Sequence, residues 1–137
     1  MMLAPGKRFL HRFGSEESGA SAVEFALVST AFISLMIGIW YLAIMLFNNM
    51  SLQWAIARSA RLAEINKAVT QDAIAQAVNT YLAGNGLPNA TVTYSSSVSG
   101  GLRSATISAS YSQVYDVPMV SSFHINFSSN LTVPQPS

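Results

Sequence analysis

The feature that most constrains the fold is an apolar run of 23 residues, Phe25 to Phe47, that contains no Asp, Glu, Lys or Arg. An α-helix rises about 1.5 Å per residue, so a helix over such a run covers roughly 35 Å, and the hydrocarbon core of a bilayer is about 30 Å thick. A helix also satisfies its own backbone polar groups in lipid. The run therefore predicts a single membrane-spanning helix.

Two other interpretations of the run fit less well. A chain of 137 residues rarely builds a soluble core large enough to surround a helix of this length. The apolar region of a secretory signal peptide is usually about 7–15 residues long and ends at a small-residue cleavage site. Here the run is longer, and Asn48, Asn49 and Met50 follow it.

The composition leaves room for one span and one small domain. There is no cysteine, which excludes disulfides, a thiolate nucleophile and a cysteine metal site. A net charge of +1 with 9% charged residues provides no basic stripe for a nucleic acid. We therefore expect no cofactor and no nucleic-acid partner.

The flanking charges do not orient the span by count. Basic residues are equal in number on the two sides, with Lys7, Arg8 and Arg12 before it and Arg58, Arg61 and Lys67 after it. The positive-inside rule needs a difference. The denser basic leader favours a cytoplasmic N-terminus.

Small side chains recur at every fourth residue of the span, at Ala22, Ala26, Thr30, Ser34 and Gly38. Because four residues turn about 400° around a helix, these side chains lie on one side. Such stripes allow two membrane helices to pack closely, so we predict helix packing there. The aromatic residues Trp40, Tyr41 and Trp54 fit interface anchors. Because Trp40 and Tyr41 lie before the apolar run ends, core packing fits these two equally well.

The helical pattern continues beyond the span to about Lys67. Leu52, Ile56, Ala60 and Ala63 share one face, and Arg58, Arg61 and Glu64 lie opposite, together with Trp54 and Ile65. A second helix is predicted to begin at a Thr70 N-cap with Asp72 in its first turn, and to end at Gly84 or Gly86. Its apolar face comprises Ile74, Val78, Tyr81 and Leu82.

The last third of the chain alternates with a period of two, which is typical of strands with one exposed face. Three strands are predicted around Val92–Tyr94, Ala105–Tyr111 and Phe123–Val133, with Ile125 inward and His124 outward. Ser95–Gly101 is predicted to connect the first two strands. The fold class is therefore α+β: a long helix, a short helix and a small antiparallel sheet of about three strands.

Glu24 stands at the edge of the apolar run, five residues after Gly19. A carboxylate costs roughly 2.5–3.5 kcal/mol at a bilayer centre and less near the interface, so its presence suggests a use. The pattern Gly-x-x-x-x-Glu-Phe before an apolar helix resembles the processing signature of type IV prepilins. The segment Glu16–Leu27, and the Ala/Arg-rich segment Gln53–Arg61, look like those of TadE-like pseudopilins of tight-adherence pilus systems.

This resemblance implies a role for each residue of the signature. A prepilin peptidase would cut after Gly19, and Ala20 would become the new N-terminus. Glu24, followed by Phe25, would pair with the Ala20 amine of a neighbouring subunit and set the register of assembly. The implied domains are a leader (1–19), a membrane and assembly helix (20–47), an amphipathic extension (48–69) and an exported head (70–137).

The function implied by the resemblance is that of a pseudopilin or minor pilin in a bacterial inner membrane, with one span and a periplasmic head. The implied partners are the prepilin peptidase, other pilins and pseudopilins, the inner-membrane assembly platform and lipid. The alternative is an unprocessed single-span protein whose exported head binds a protein. We do not expect an enzyme, because His11 and His124 are the only histidines and there is no Gly-x-Ser-x-Gly motif.

Overall fold

Residues 16–66, 68–117 and 121–135 are described by the structure, which is a computed structural model. In chain order the elements are α1 (Glu16–Ile65), α2 (Gln71–Gly84), β1 (Thr91–Ser99), β2 (Leu102–Tyr115) and β3 (Phe123–Pro134). The predicted α+β fold is confirmed. Residues 1–15 of the predicted leader, with its basic cluster, lie outside the described residues, as does Lys67.

Helix α1 is continuous over 50 residues, and its C-terminal part is amphipathic as predicted. The four residues assigned to its apolar face, Leu52, Ile56, Ala60 and Ala63, are all buried. The opposite side is exposed and carries Arg58, Arg61, Glu64, Trp54 and Ile65. Ala55 and Ser59 also belong to the buried side, which the spacing of the larger residues did not indicate.

Contacts within the chain divide it into two units, one that ends at Ala43 and one that comprises Ile44–Ser137. The second unit, which we call the head unit, contains the amphipathic part of α1 as well as α2 and the sheet. The predicted domain bounds at residues 19, 47 and 69 stay predictions.

Helix α2 begins and ends with local capping contacts. The Thr70 side chain accepts a hydrogen bond from the Ala73 amide at 3.3 Å, which confirms the predicted N-cap. At the other end Leu87 N donates to Leu82 O at 2.9 Å, and Gly86 N donates to Ala83 O at 3.0 Å. This is a Schellman motif, and its left-handed residue is Gly86, with φ of 70°.

The sheet is an antiparallel meander in the order β1-β2-β3. The predicted parity is confirmed, because Val92, Ile107 and Phe127 are buried and His124 is exposed; Ile125 lies on the inner side as predicted but is only half-buried. The connection between β1 and β2 is shorter than predicted, since pairing continues to Ser99 opposite Leu102. Only Gly100 and Gly101 form the turn, with φ of 59° and 81°, as two-residue hairpin turns require.

The sheet and the helices of the head unit pack through their apolar faces. Ile74, Val78 and Leu82 of α2 are fully buried, as is Ile107 at the centre of the sheet, whereas Tyr81 is only half-buried. Asn79 fixes α2 to the start of β1, because its Oδ1 accepts a hydrogen bond from Ala90 N at 2.7 Å.

Candidate functional site

The predicted processing residues Gly19 and Ala20 lie near the start of α1, and both are exposed. A Cβ atom added to Gly19 would meet no atom within 4 Å. Glu24 is also exposed and lies one turn after Ala20, so the two residues share one side of the helix. Phe25, the next residue, is 75% exposed. The predicted cleavage and pairing roles of these residues stay predictions.

The predicted packing stripe is exposed at all five positions, Ala22, Ala26, Thr30, Ser34 and Gly38. Its two hydroxyl groups are bonded to the helix itself. Thr30 Oγ1 donates to Ala26 O at 2.7 Å, and Ser34 Oγ donates to Thr30 O at 2.8 Å. The stripe therefore presents small side chains with no unsatisfied hydroxyl hydrogen, and its packing role stays a prediction.

The apolar part of α1 has the surface of a helix that faces lipid. Among the described residues, α1 is the one helix long and apolar enough to cross a membrane, and its most apolar stretch has no buried residue. Leu27 and Trp40 are each 69% exposed. The length and apolar composition of this helix are compatible with a single membrane span.

A buried polar network joins α1 to β2 immediately after the apolar run. Asn48 is 3% exposed, and its Nδ2 donates to Gln113 Oε1 at 3.0 Å and to Tyr115 Oη at 2.6 Å. Tyr111 Oη donates to the Asn48 carbonyl at 3.3 Å. Burial, and secondarily the nearby Tyr115, raises the pKa of Tyr111 to about 12. Sequence reasoning missed this network, because its members lie 63 to 67 residues apart.

A second feature that sequence reasoning missed lies on the exposed side of α1. Arg58 Nη1 donates to Tyr81 Oη at 2.5 Å, and its guanidinium lies 4.9 Å from the centre of the Tyr81 ring. Beside this pair is a cavity of about 500 Å³ lined by Trp54, Ala57, Arg58, Arg61 and Tyr81. Trp54 is 67% exposed, and its predicted role as an interface anchor stays a prediction.

The described residues contain no group of three or more His, Cys, Asp or Glu side chains that could hold a metal ion. His124 is exposed on β3, where it lies opposite Val114 of β2. The outer face of the sheet carries a depression of about 310 Å³ lined mainly by serine and threonine. The expectation that the chain is not an enzyme stays a prediction.

Residues 19–61 match the family model described as TadE-like protein. No curated protein and no solved structure matches the chain. The matched segment begins at Gly19 and follows α1 to Arg61, so it includes Glu24, the packing stripe and both arginines of the exposed side. The resemblance to TadE-like proteins is thus confirmed in this segment.

Proposed function

Because residues 19–61 are TadE-like, we propose that this chain is a pseudopilin, or minor pilin, of a tight-adherence type IV pilus and serves surface adhesion. One observation carries the proposal: the family match begins at Gly19, the residue after which the resemblance to prepilins implies cleavage. The exposed apolar surface of α1 supports it, since such a helix needs lipid or neighbouring helices around it.

Processing would occur between Gly19 and Ala20 at the cytoplasmic face of the inner membrane, by the prepilin peptidase. A peptidase must bind an extended backbone, and the bond lies in helix α1. Glycine in a helix is less stable than alanine by roughly 0.5–1 kcal/mol, which lowers the cost of opening the helix at the bond. The open space around Gly19 leaves it accessible to the enzyme.

Cleavage would create the charge that Glu24 needs. An α-amine has a pKa of roughly 7.7–8.0, so the new Ala20 terminus is largely cationic at neutral pH. The amine of a neighbouring subunit would then pair with Glu24, and such pairs are best attested as devices that fix register. The packing stripe would let the neighbouring helix approach closely.

This function places the chain in the bacterial inner membrane with a single span, and its exported head, residues 70–137, in the periplasm. Its partners are other pilins and pseudopilins, the inner-membrane assembly platform and lipid. A second candidate is an unprocessed anchor whose exported head binds a protein. The helical backbone at Gly19 and Ala20 favours it, because a peptidase must first open that turn.

Intact mass in the native host separates the two candidates. Processing removes residues 1–19 and leaves 137 − 19 = 118 residues, whereas an anchor keeps its full length. Gly19→Val should leave the leader attached, because the cleavage site must accept a minimal side chain. Gly38→Val is the matched control, since a Cβ at Gly38 also meets nothing within 4 Å and this variant should mature normally. Normal maturation of Gly19→Val would contradict the assigned site.

A further inference from the structure

We propose that the exposed side of α1 formed by Phe47, Met50, Trp54, Arg58 and Arg61, here called the Trp54 face, lies on the lipid–water interface and binds the phosphate of anionic lipids. The inference rests on the single span of the proposed function. It adds a lipid site in the head unit, outside the cleavage and pairing residues.

The Trp54 face exposes apolar and aromatic side chains, whereas the opposite side of the same helix is buried in the head unit. Phe47, Met50 and Trp54 are 55%, 59% and 67% exposed, whereas Leu52 and Ile56 are at most 1% exposed. The head unit therefore packs against one side of α1 and leaves the other bare. Contiguous exposed apolar residues mark a surface that contacts a partner or a membrane.

Spacing along α1 identifies lipid as the occupant. Trp40, Phe47 and Trp54 are separated by seven residues each, which is about two helical turns, so they lie on one side. Trp40 belongs to the apolar run and is 69% exposed. Phe47 ends the apolar run and also belongs to the Trp54 face, so this face begins where the predicted span ends.

The position of Trp54 relative to the end of the apolar run fits the membrane–water interface. Trp54 follows Phe47, the last residue of that run, by seven residues, which is roughly 10 Å of helix. Tryptophan is enriched at this level of a membrane. Arg58 follows one turn later and can reach back to the lipid phosphates.

The two arginines provide the charge complementary to phosphate. The hydrogen bond and ring contact with Tyr81 hold the Arg58 guanidinium in place, and its remaining N–H groups can still donate. Arg61 lines the same cavity of about 500 Å³, and the described residues that line it include no carboxylate. A neighbouring cavity of about 290 Å³ reaches from Tyr81 to Phe47 and can take the apolar part of a lipid.

Tryptophan fluorescence of the full chain in vesicles tests the proposal, because the chain contains two tryptophans. Trp40→Phe leaves Trp54 as the reporter, and Trp54→Phe leaves Trp40. Two kinds of vesicle are used, one of phosphatidylcholine alone and one of phosphatidylcholine and phosphatidylglycerol in equal amounts. In the mixed vesicles either the phosphatidylcholine or the phosphatidylglycerol is brominated. Trp54 should be quenched by bromine near the headgroups, and more strongly by brominated phosphatidylglycerol than by brominated phosphatidylcholine. Trp40 should be quenched by deeper bromine without this preference.

The preference of Trp54 quenching for brominated phosphatidylglycerol over brominated phosphatidylcholine should fall about fivefold for each arginine replaced. This factor corresponds to about 1 kcal/mol per charge near an anionic surface. Arg58→Gln and Arg61→Gln test this, and Arg58→Lys should retain most of the preference because it keeps the charge. Arg103→Gln is the control, since Arg103 is an exposed arginine of β2 at the far end of the head unit from Asn48.

The outcomes separate this inference from the proposed function. Quenching of Trp40 without quenching of Trp54 would support the membrane span but would overturn the contact of the Trp54 face with lipid. Quenching of Trp54 that is lost as the protein-to-lipid ratio rises would show that a second copy displaces lipid from the face, and would still support the lipid contact of the separate chain. A phosphatidylglycerol preference unchanged by both Arg→Gln variants would refute the phosphate site. If neither tryptophan is quenched, the span itself is wrong and the proposed function fails with it.

Discussion

Replacing Ile56 by alanine tests whether the amphipathic part of α1 is an integral part of the core of the head unit. Ile56 is 1% exposed, and deletion of most of a buried isoleucine side chain costs about 2–5 kcal/mol. Small domains are stable by only about 5–15 kcal/mol, so the loss is a large fraction of the total. For a domain of this size about 2 kcal/mol lowers the melting temperature by roughly 8–16 °C.

The same helix offers a matched control in Ile65, which is 82% exposed. Alanine has the higher intrinsic helix propensity, so both changes favour the helix slightly and any loss must come from packing. Thermal melts of the full chain in detergent, followed by near-ultraviolet circular dichroism, should show a large loss for Ile56→Ala and a change within about 0.5 kcal/mol for Ile65→Ala. Equal melting temperatures would refute the reasoning and make the helix a mere extension of a head that folds without it.

Three further changes test separate parts of the chain. Glu24→Ala should insert into the membrane but fail to restore pilus assembly in a null strain. Glu64→Ala, which changes an exposed residue of the same helix, should assemble normally. Wild-type piliation by Glu24→Ala would contradict the proposed pairing of Glu24 with the Ala20 amine. Gly86→Ala should lower stability in thermal melts by about 1 kcal/mol, because the φ of Gly86 is 70°. Gly84→Ala should leave the stability unchanged or raise it by about 0.4–1 kcal/mol. Equal effects of the two substitutions would refute this reasoning. The pKa of Tyr111 is raised to about 12 in the folded chain, so its neutral hydroxyl stabilises the fold fully below about pH 10. This contribution to stability is lost as the pH rises towards 12. Tyr111→Phe should therefore reduce the loss of stability in melts between about pH 10 and about pH 12, and an unchanged pH profile would contradict the raised pKa of Tyr111.

Local physical signals explain what the sequence could predict. The period of the apolar residues assigned Leu52 and Ile56 to a buried face, because helix geometry alone decides which side chains share a side. Thr70 was identifiable as an N-cap because capping depends on a residue and its next three neighbours. Strand parity put Ile107 inside for the same reason, since successive side chains alternate between faces.

The features that were missed depend on pairs distant in sequence or on competition between turns. Nothing near Asn48 indicates that its amide meets Tyr115, and nothing near Arg58 indicates that it meets Tyr81, because the partners lie 67 and 23 residues away. The serines before Gly100 are typical of a loop, yet they are paired because the two-glycine turn fits the twist of the strands. For the candidate site, the sequence identified the residues of the processing signature but not the basic and aromatic cavity beside Trp54.

The hydroxyl groups of the packing stripe bear on how α1 can exchange one environment for another. Thr30 and Ser34 are each bonded to a carbonyl four residues earlier in their own helix, so their partners travel with them. An asparagine at either position would need a new partner after each transfer, and a buried polar group left unpaired costs about 1–3 kcal/mol. Moving this side of the helix from lipid into a bundle of protein helices therefore breaks no side-chain hydrogen bond at Thr30 or Ser34. The free energy of the exchange then depends on packing and on Glu24, and not on a loss of side-chain hydrogen bonds at these two positions.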